Sequence, residues 1–471
     1  MKDDITLHTR REFLRQTVLG GALSWTVPTF LANTFAALQA EAADSATQVA
    51  TGRDSTILVI LQMAGGNDGL NTVVPVGNDY YHRARPRIGL ADAKVLKLHN
   101  DLGLHPGLTG FKELYDAGRL AVVQGVGYPN PNRSHFRSTE IWQTASDSAR
   151  FEHYGWLGRY FDNACAGCDP TIGVAIGRQM PQAFSAKHPT GVSLENPQNY
   201  RFMAGRPSRP GEMNSTEESF RKLNQPEAEM PENSGGTISS ISGPIRHTGS
   251  VLDFLERTAL DAQVSSDKIR SIASGVNSLA TYPGSQLGNS LKLVAKLIGG
   301  GLPTRIFYVS QGGYDTHTNQ ANTQERLLKD LGDSVKAFVD DLQGQGNLPR
   351  VLLMTFSEFG RRVGENANGG TDHGAAAPMF VVGDKVKAGL LGRYPSLAPA
   401  DLFQGDLRFQ VDFRSVYAGV LENWLGTRSR LLQSPAARHG KKHIKAPECL
   451  HRLPRRHGCG ARGIAEASRP A

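Results

Sequence analysis

The sequence predicts an α/β fold in which a mostly parallel central sheet is sandwiched by helices. Three observations lead to this prediction: short apolar runs of strand length, longer segments with helical periodicity, and the alternation of the two along the chain. Several of the apolar runs are continuous rather than alternating, which is typical of strands that are covered on both faces.

Six runs rich in Val, Ile and Leu are the predicted strands, at residues 56–62, 120–126, 171–176, 305–310, 351–355 and 379–382. Helical periodicity fills much of the chain between them, at residues 108–115, 250–280 and 325–342. The pattern is clearest in the last of these helices, where apolar residues recur at helical spacing. Strand, helix and strand in succession favour a parallel sheet.

The two ends of the chain differ from this body. Residues 1–42 contain Arg10 and Arg11, a weakly apolar stretch and small residues that end at Ala42. This pattern predicts a twin-arginine signal peptide, which the twin-arginine export machinery would read, and a periplasmic or secreted protein. The apolar stretch is too short and too polar for a stable membrane span.

Positive charge is concentrated at the other end. The formal net charge of the chain is +8, but residues 438–471 hold nine Lys or Arg and two Glu. We therefore interpret residues 435–471 as a basic, disordered tail and expect no specific nucleic-acid binding. Residues 43–434 then form one α/β domain with a polar insertion at about 189–244. This insertion is either a lid over the substrate or a flexible connection with no role in binding.

Polar clusters lie at the ends of the predicted strands, where such sheets bind ligands. They span residues 65–68, 312–317, 357–360 and 370–374; the first three follow a strand and the last precedes one. Ligands bind outside the carboxyl ends of the strands of a parallel α/β sheet. We therefore expect the clusters to meet at one edge of the sheet.

The clusters supply residues that could ligate metal ions. Asp315 and His317 are one residue apart and can hold one ion together with His373, since imidazole and carboxylate suit zinc, manganese or iron. A second ion would take carboxylates from the other clusters. The six predicted ligands are Asp68, Asp315, His317, Glu358, Asp372 and His373. Asp68 could instead cap a helix, and Glu358 could pair with Arg361 or Arg362.

A candidate nucleophile follows the second predicted strand. Ser134 lies where a helix begins, so that backbone amides favour an anion and a bound cation would lower the hydroxyl pKa. Arg133 and Arg137 could clamp the oxyanion, and His135 could act as an acid or ligate metal. The competing interpretation is that Ser134 only caps the helix.

Long motifs in this order resemble those of a known family. They are the twin-arginine signal and the sequences GGNDGLN (65–71), RSHF (133–136), GYDTH (313–317), TFSEFGR (355–361) and GTDHG (370–374). Together they resemble domain of unknown function family 1501, exported bacterial proteins, from the signal to about residue 425. That family looks like a distant relative of alkaline phosphatases and sulfatases.

The resemblance implies an alkaline-phosphatase-like domain with a metal-bound hydrolytic centre, in which His373 takes the place of the final histidine ligand. Two departures matter. The superfamily's usual Asp-His pair is replaced by Ser357, Glu358 and Phe359, which makes a second ion less secure than the first. No Cys-x-Pro-x-Arg element is present, which argues against a formylglycine sulfatase.

We therefore predict an exported metal-dependent hydrolase of phosphate or sulfate esters, with Ser134 as the nucleophile. Its cofactor would be one or two divalent metal ions, with zinc favoured over manganese or iron. Its substrate would be a small-molecule or polymer ester. The alternative is a noncatalytic exported binding or envelope-assembly protein that retains the fold.

The signal predicts where the mature protein begins. Cleavage after the small residues should leave a new N-terminus close to Ala42, because signal peptidase cuts behind an A-x-A-like site. N-terminal sequencing of the exported protein measures this position. An exported protein that still begins at Met1 would contradict the prediction.

Overall fold

The structure, a computed structural model, describes residues 55–164, 169–188, 190–199 and 265–429. The predicted signal peptide, the basic tail and most of the polar insertion lie outside these residues. Within them, the predicted α/β class is confirmed, because a mostly parallel sheet lies between two layers of helices.

The strands belong to a nine-stranded main sheet and a three-stranded small sheet. They are β1 Ile57–Met63, β2 Val73–Pro75, β3 Leu96–His99, β4 Leu102–Leu104, β5 Leu120–Gly127, β6 Gly173–Ile176, β7 Val192–Leu194, β8 Ile306–Gln311, β9 Val351–Phe356, β10 Ala377–Val382, β11 Gly389–Leu391 and β12 Val411–Asp412. All six predicted strands are present, as β1, β5, β6, β8, β9 and β10. The small sheet and the short strands β7, β11 and β12 were not predicted.

The α-helices are α1 Gly69–Thr72, α2 Asp79–Ala84, α3 Thr109–Asp116, α4 His135–Thr144, α5 Trp156–Ala164, α6 Gln286–Gly299, α7 Gln320–Gly344 and α8 Phe413–Gly419. The predicted helix at 108–115 corresponds to α3, and 325–342 lies within α7. Of the helix predicted at 250–280, residues 265–275 are helical and the part before 265 lies outside the described residues. The described helices include none with the length and apolar character needed to cross a bilayer.

The strands of the main sheet run in the order β11-β5-β10-β9-β1-β8-β6-β7, and β12 pairs with β5. Strand β1 is parallel to both β8 and β9, and β6 is parallel to β8 and β7. Strand β10 is antiparallel to both β9 and β5. As a result β5 runs in the same direction as β9, and β10 is the reversed strand between them.

The main sheet buries both of its faces, as its continuous apolar runs predict. Along β1, Ile57 and Val59 pack on one face with helices α3, α6 and α7, whereas Leu58 and Ile60 pack on the other with α4, α5 and α8. Each such side chain contributes about 1.5–3 kcal/mol by leaving water. The central strands are therefore held rigidly, and the loops at their ends have a fixed scaffold.

Strand register brings distant parts of the chain to one edge of the sheet. The last residue of β1, Met63, pairs with Gln311 of β8, and Gln62 pairs with the last residue of β9, Phe356. These three strands therefore end at one level. The reversed strand β10 begins there, and β5 also ends there, since Ala377 pairs with Val126.

Burial of His105 gives the fold a pH dependence. Its side chain is 4% exposed, and its Nδ1 accepts a hydrogen bond of 3.0 Å from the Gly107 amide, which keeps the ring neutral. Burial lowers the pKa of His105 from 6.5 to about 4. The unfolded chain thus binds a proton at a higher pH than the native protein does, so stability rises with pH across this window.

As the pH falls from 6.5 to 4, the free energy of unfolding of the wild-type protein should decrease by up to about 3 kcal/mol, because His105 takes up a proton in the unfolded chain but not in the native protein. His105→Gln should be destabilised at neutral pH and show a smaller loss across this window. Chemical denaturation of both proteins at pH 7, 5.5 and 4 measures the difference. Equal pH dependence in the two proteins would show that His105 does not cause it.

Candidate metal centre

Three imidazole rings at the carboxyl edge of the sheet are each held through Nδ1. His135 Nδ1 lies 2.9 Å from Glu358 Oε1, and His317 Nδ1 lies 3.3 Å from Asp372 Oδ1. The Nδ1 of His373 lies 2.7 Å from the Arg133 carbonyl oxygen. Carbonyl and carboxylate oxygens accept hydrogen bonds, so each Nδ1 carries the proton.

The opposite nitrogens of these rings, Nε2, converge on the carboxylate of Asp315. The distances to its oxygens are 3.4 Å from His135, 3.0 Å from His317 and 3.2 Å from His373. The Nε2 atoms of His317 and His373 are also 2.9 Å apart. In neutral rings these nitrogens hold lone pairs, which repel one another unless a proton or a metal ion lies between them.

The donor set fits a metal ion of the kind that histidine and carboxylate bind. Metal–ligand bonds of about 2.0–2.1 Å in a tetrahedron separate the ligand atoms by about 3.3 Å, close to the distances found here. Among the described residues, His135, Asp315 and His373 form one group whose ligand atoms all lie within 4.8 Å of one another. Ligand histidines that donate Nδ1–H to a carboxylate or carbonyl are typical of metal sites.

Arg361 holds Asp315 in place. This arginine is 1% exposed, and its Nη2 donates to Asp315 Oδ1 at 2.7 Å. Partial burial raises the pKa of Asp315, but the hydrogen bond from Arg361, the contact with His373 and the positive charge of Arg361 outweigh that effect and lower the pKa to about 2. Asp315 is therefore a carboxylate at every pH at which the protein would work.

Two other predicted ligands, Glu358 and Asp372, contact histidines at Nδ1 and not at the Nε2 atoms that face Asp315. Glu358 is 2% exposed, and its Oε1 accepts from both His135 and the Gly65 amide, the latter at 2.8 Å. Its Oε2 is buried without a hydrogen-bond partner. Hydrogen bonding from the Asn366 side chain, aided by His317, lowers the pKa of Asp372. Both carboxylates orient imidazoles, and Glu358 does not pair with Arg361, which bonds Asp315 instead.

Asp68, also a predicted ligand, lies in a buried ion pair. Its Oδ2 accepts from Arg85 Nη1 at 2.6 Å and from the Gln320 side chain, and its Oδ1 accepts from the Leu70 amide at 3.2 Å. Asp68 thereby caps helix α1, which is the alternative that the sequence leaves open. Its two oxygens are occupied by protein donors.

The predicted catalytic segment lies beside the histidines. Ser134 occupies the N-cap position of α4, directly before His135, but its exposed hydroxyl does not bond to the amides of the helix. Arg133 donates from Nε to Asp406 Oδ2 at 2.9 Å, and Arg137 bonds to backbone carbonyls, one of them that of Asp147. Both arginines are therefore engaged by protein groups.

Three residues organise this site in ways that the sequence did not predict: Arg85 and Asp406 were not singled out, and Arg361 was considered only as a partner of Glu358. Each lies in a loop, and its carboxylate or guanidinium partner is 17, 46 or 273 positions away for Arg85, Arg361 and Asp406, respectively. An arginine in a loop has no sequence pattern that distinguishes a buried hub from an exposed surface residue.

The comparisons with known proteins agree with the motifs. A family model described as "Protein of unknown function (DUF1501)" matches residues 55–433. No curated protein has a sequence similar enough to count as a match.

Several solved structures resemble this chain at low sequence identity and low TM-score. One is an alkaline phosphatase superfamily protein from Vibrio parahaemolyticus, with 9% identity, a TM-score of 0.31 and coverage of 77% of this chain and 69% of that chain. Another is the lipoteichoic acid synthase LtaP from Listeria monocytogenes, with 7% identity, a TM-score of 0.32 and coverage of 74% and 71%. A third is a phosphonate monoester hydrolase of Agrobacterium radiobacter, with 9% identity, a TM-score of 0.30 and coverage of 74% and 72%.

Because Asp68 is paired with Arg85 in the interior, we expect a substitution of Asp68 to lower the stability of the fold without changing metal binding. Asp68→Asn leaves a buried guanidinium without its counter-charge and should cost about 3–5 kcal/mol of unfolding free energy. Metal content should not change. Denaturant titration and metal analysis of the purified variant measure the two effects.

Glu195→Gln is the matched control, because it removes the carboxylate of an exposed pair with Arg178. That change should cost no more than about 1 kcal/mol. Loss of metal from Asp68→Asn with unchanged stability would instead place Asp68 among the ligands.

Proposed function

The chain belongs to the family described as protein of unknown function DUF1501, and on that premise we propose its function from the site itself. It is a metal-dependent hydrolase of phosphate or sulfate esters that works outside the cytoplasm. The observation that carries the proposal is the convergence of three Nε2 atoms on Asp315, with every Nδ1 held by an acceptor.

One divalent ion would be held by His135, Asp315, His317 and His373, with zinc favoured and manganese or iron also suited to these ligands. When bound, such an ion would stabilise negative charge on an ester oxygen and lower the pKa of a nearby hydroxyl. Glu358 and Asp372 would orient two of the imidazoles, and Arg361 would keep the carboxylate ionised. We assign Asp68 to the scaffold and propose one ion.

Ser134 is the proposed nucleophile. It immediately precedes the ligand His135, and its hydroxyl is exposed and free of a capping bond. The amides of the first turn of α4 point toward the same place and favour a phosphate or sulfate group. Attack by the Ser134 oxygen on phosphorus or sulfur would form a seryl ester and break the bond to the alcohol, which leaves with the proton that the serine gives up. Water would then cleave the seryl ester, release phosphate or sulfate and restore the serine hydroxyl.

Exposed aromatic residues near the start of α4 favour an ester with an apolar or ring-shaped organic part. Phe136, the neighbour of His135, is 92% exposed, and Phe151 is 75% exposed. The Arg137 guanidinium lies 4.1 Å from the centre of the Phe151 ring and fixes its position. Aryl esters are therefore suitable first substrates, although a ring of a polymer would fit the same surface.

The competing function is that of a noncatalytic exported binding or envelope-assembly protein. One observation favours it: Arg133 and Arg137, the cations predicted to clamp the substrate, are both bound to protein oxygens. Such a protein would keep the fold and the ion without turnover.

The experiment that tests the proposal combines metal analysis with hydrolysis of an aryl phosphate and an aryl sulfate. We expect one divalent ion per chain and activity that falls at least 100-fold on chelation, because the ion and its ligands supply the charge stabilisation. His373→Ala should lose the ion. Ser134→Ala should keep the ion, and its activity should fall by about as much as that of the wild type does on chelation.

The matched controls are His82→Ala and Ser274→Ala, which change residues of the same types at partly or fully exposed positions away from the site. Both should keep metal and activity. A protein with bound metal and no turnover of either ester would support the noncatalytic function, and a protein without metal would refute the proposed centre.

A further inference from the structure

A buried carboxylate outside the ligand set holds the segment that carries His135. Asp406 is fully buried at the end of a tight turn, in which its backbone pairs with that of Phe403. Its Oδ2 accepts from both Nε and Nη2 of Arg133, the former at 2.9 Å. Two donors on one oxygen restrict the orientation of the guanidinium more than a single hydrogen bond does.

Arg133 links this carboxylate to two metal ligands by different routes. Its backbone carbonyl accepts the Nδ1–H of His373 at 2.7 Å, which sets the tautomer and the plane of that ring. Two residues later the same backbone presents His135 at the first position of α4. A shift of Arg133 would therefore move one ligand directly and release the other.

The pair is more than a surface contact. The Asp406 side chain is completely excluded from water, whereas that of Arg133 is partly exposed. Oδ1 of Asp406 is buried without a hydrogen-bond partner, and Arg362 Nε lies 3.8 Å from it. A buried carboxylate with one oxygen unsatisfied is costly for the fold.

We propose that Asp406 is a positioning residue of the metal centre, which acts through Arg133 to fix His135 and the tautomer of His373. This inference rests on the proposed metal centre. Partners in the second layer around a metal typically change its affinity 10- to 100-fold when they are removed. We expect an effect of that size here, although no atom of Asp406 touches the ion.

The test is the affinity of the exported protein for Zn²⁺, measured by competition with a chromophoric chelator. Asp406→Asn should weaken binding 10- to 100-fold. Arg133→Met should do the same, and Arg133→Lys should restore part of the affinity, because one ammonium can still reach the carboxylate. The visible spectrum of the Co²⁺-loaded variants should shift as well, since the ligand field depends on the orientation of the rings.

The double variant Asp406→Asn, Arg133→Met should bind about as weakly as either single variant, because both changes break one connection. Asp341→Asn is the matched control. Asp341 is equally buried and accepts several hydrogen bonds, but it lies near the C-terminal end of α7, at the opposite edge of the sheet. It should lower thermal stability and leave Zn²⁺ affinity unchanged.

The outcomes separate the two proposals. A wild-type protein that binds no Zn²⁺, Mn²⁺ or Fe²⁺ would overturn the metal centre and this inference together. Tight binding by the wild type and equally tight binding by folded Asp406→Asn would overturn the inference alone. An equal loss of affinity in Asp341→Asn would also overturn it, since general destabilisation would then explain the result. If Asp406→Asn does not fold, the Zn²⁺ affinities of Arg133→Met and Arg133→Lys test the same inference. Equal affinities in the wild type and Arg133→Met would overturn it.

Discussion

The site depends on one buried guanidinium. Arg361 donates from Nε to the Gly66 carbonyl at 2.6 Å, from Nη1 to the Thr371 carbonyl at 2.8 Å, and from Nη2 to the Tyr314 carbonyl at 3.0 Å and to the Asp315 carboxylate. These acceptors belong to the loops after β1 and β8 and to the loop before β10. A buried cation must have its donors satisfied. Arg361 therefore fixes three loops in one arrangement.

Close approach of these loops requires residues without a side chain. Gly65 has a φ of +120°, and a Cβ there would lie 2.4 Å from the Asp315 amide nitrogen. A Cβ on Gly374 would lie 2.4 Å from the Arg361 carbonyl carbon. The glycines in the motifs let the backbones pack together, so that Arg361 reaches carbonyls from several segments and the histidines reach Asp315.

The charges of the site have a consistent arrangement. Asp315 is balanced by Arg361 and Asp406 by Arg133, whereas Glu358 and Asp372 each face an imidazole. With neutral imidazoles, Glu358 and Asp372 are the two carboxylates without a cationic partner, and a divalent ion among the histidines would balance their charge. The same ion would relieve the contact between the two Nε2 atoms that now lie 2.9 Å apart.

The sequence by itself determined the class of the fold, its six main strands and most of the ligand candidates. Continuous apolar runs of strand length favour strands buried on both faces, and polar clusters at the carboxyl ends of parallel strands lie at one edge of the sheet. Only the tertiary structure decided which partner each polar group takes. Asp68 and Asp315 occur in similar glycine-rich loops, yet Asp68 faces Arg85 and Asp315 faces three histidines. The reversed direction of β10 and the buried contacts of Arg361 and Asp406 likewise depend on residues hundreds of positions apart, whose proximity no local pattern encodes.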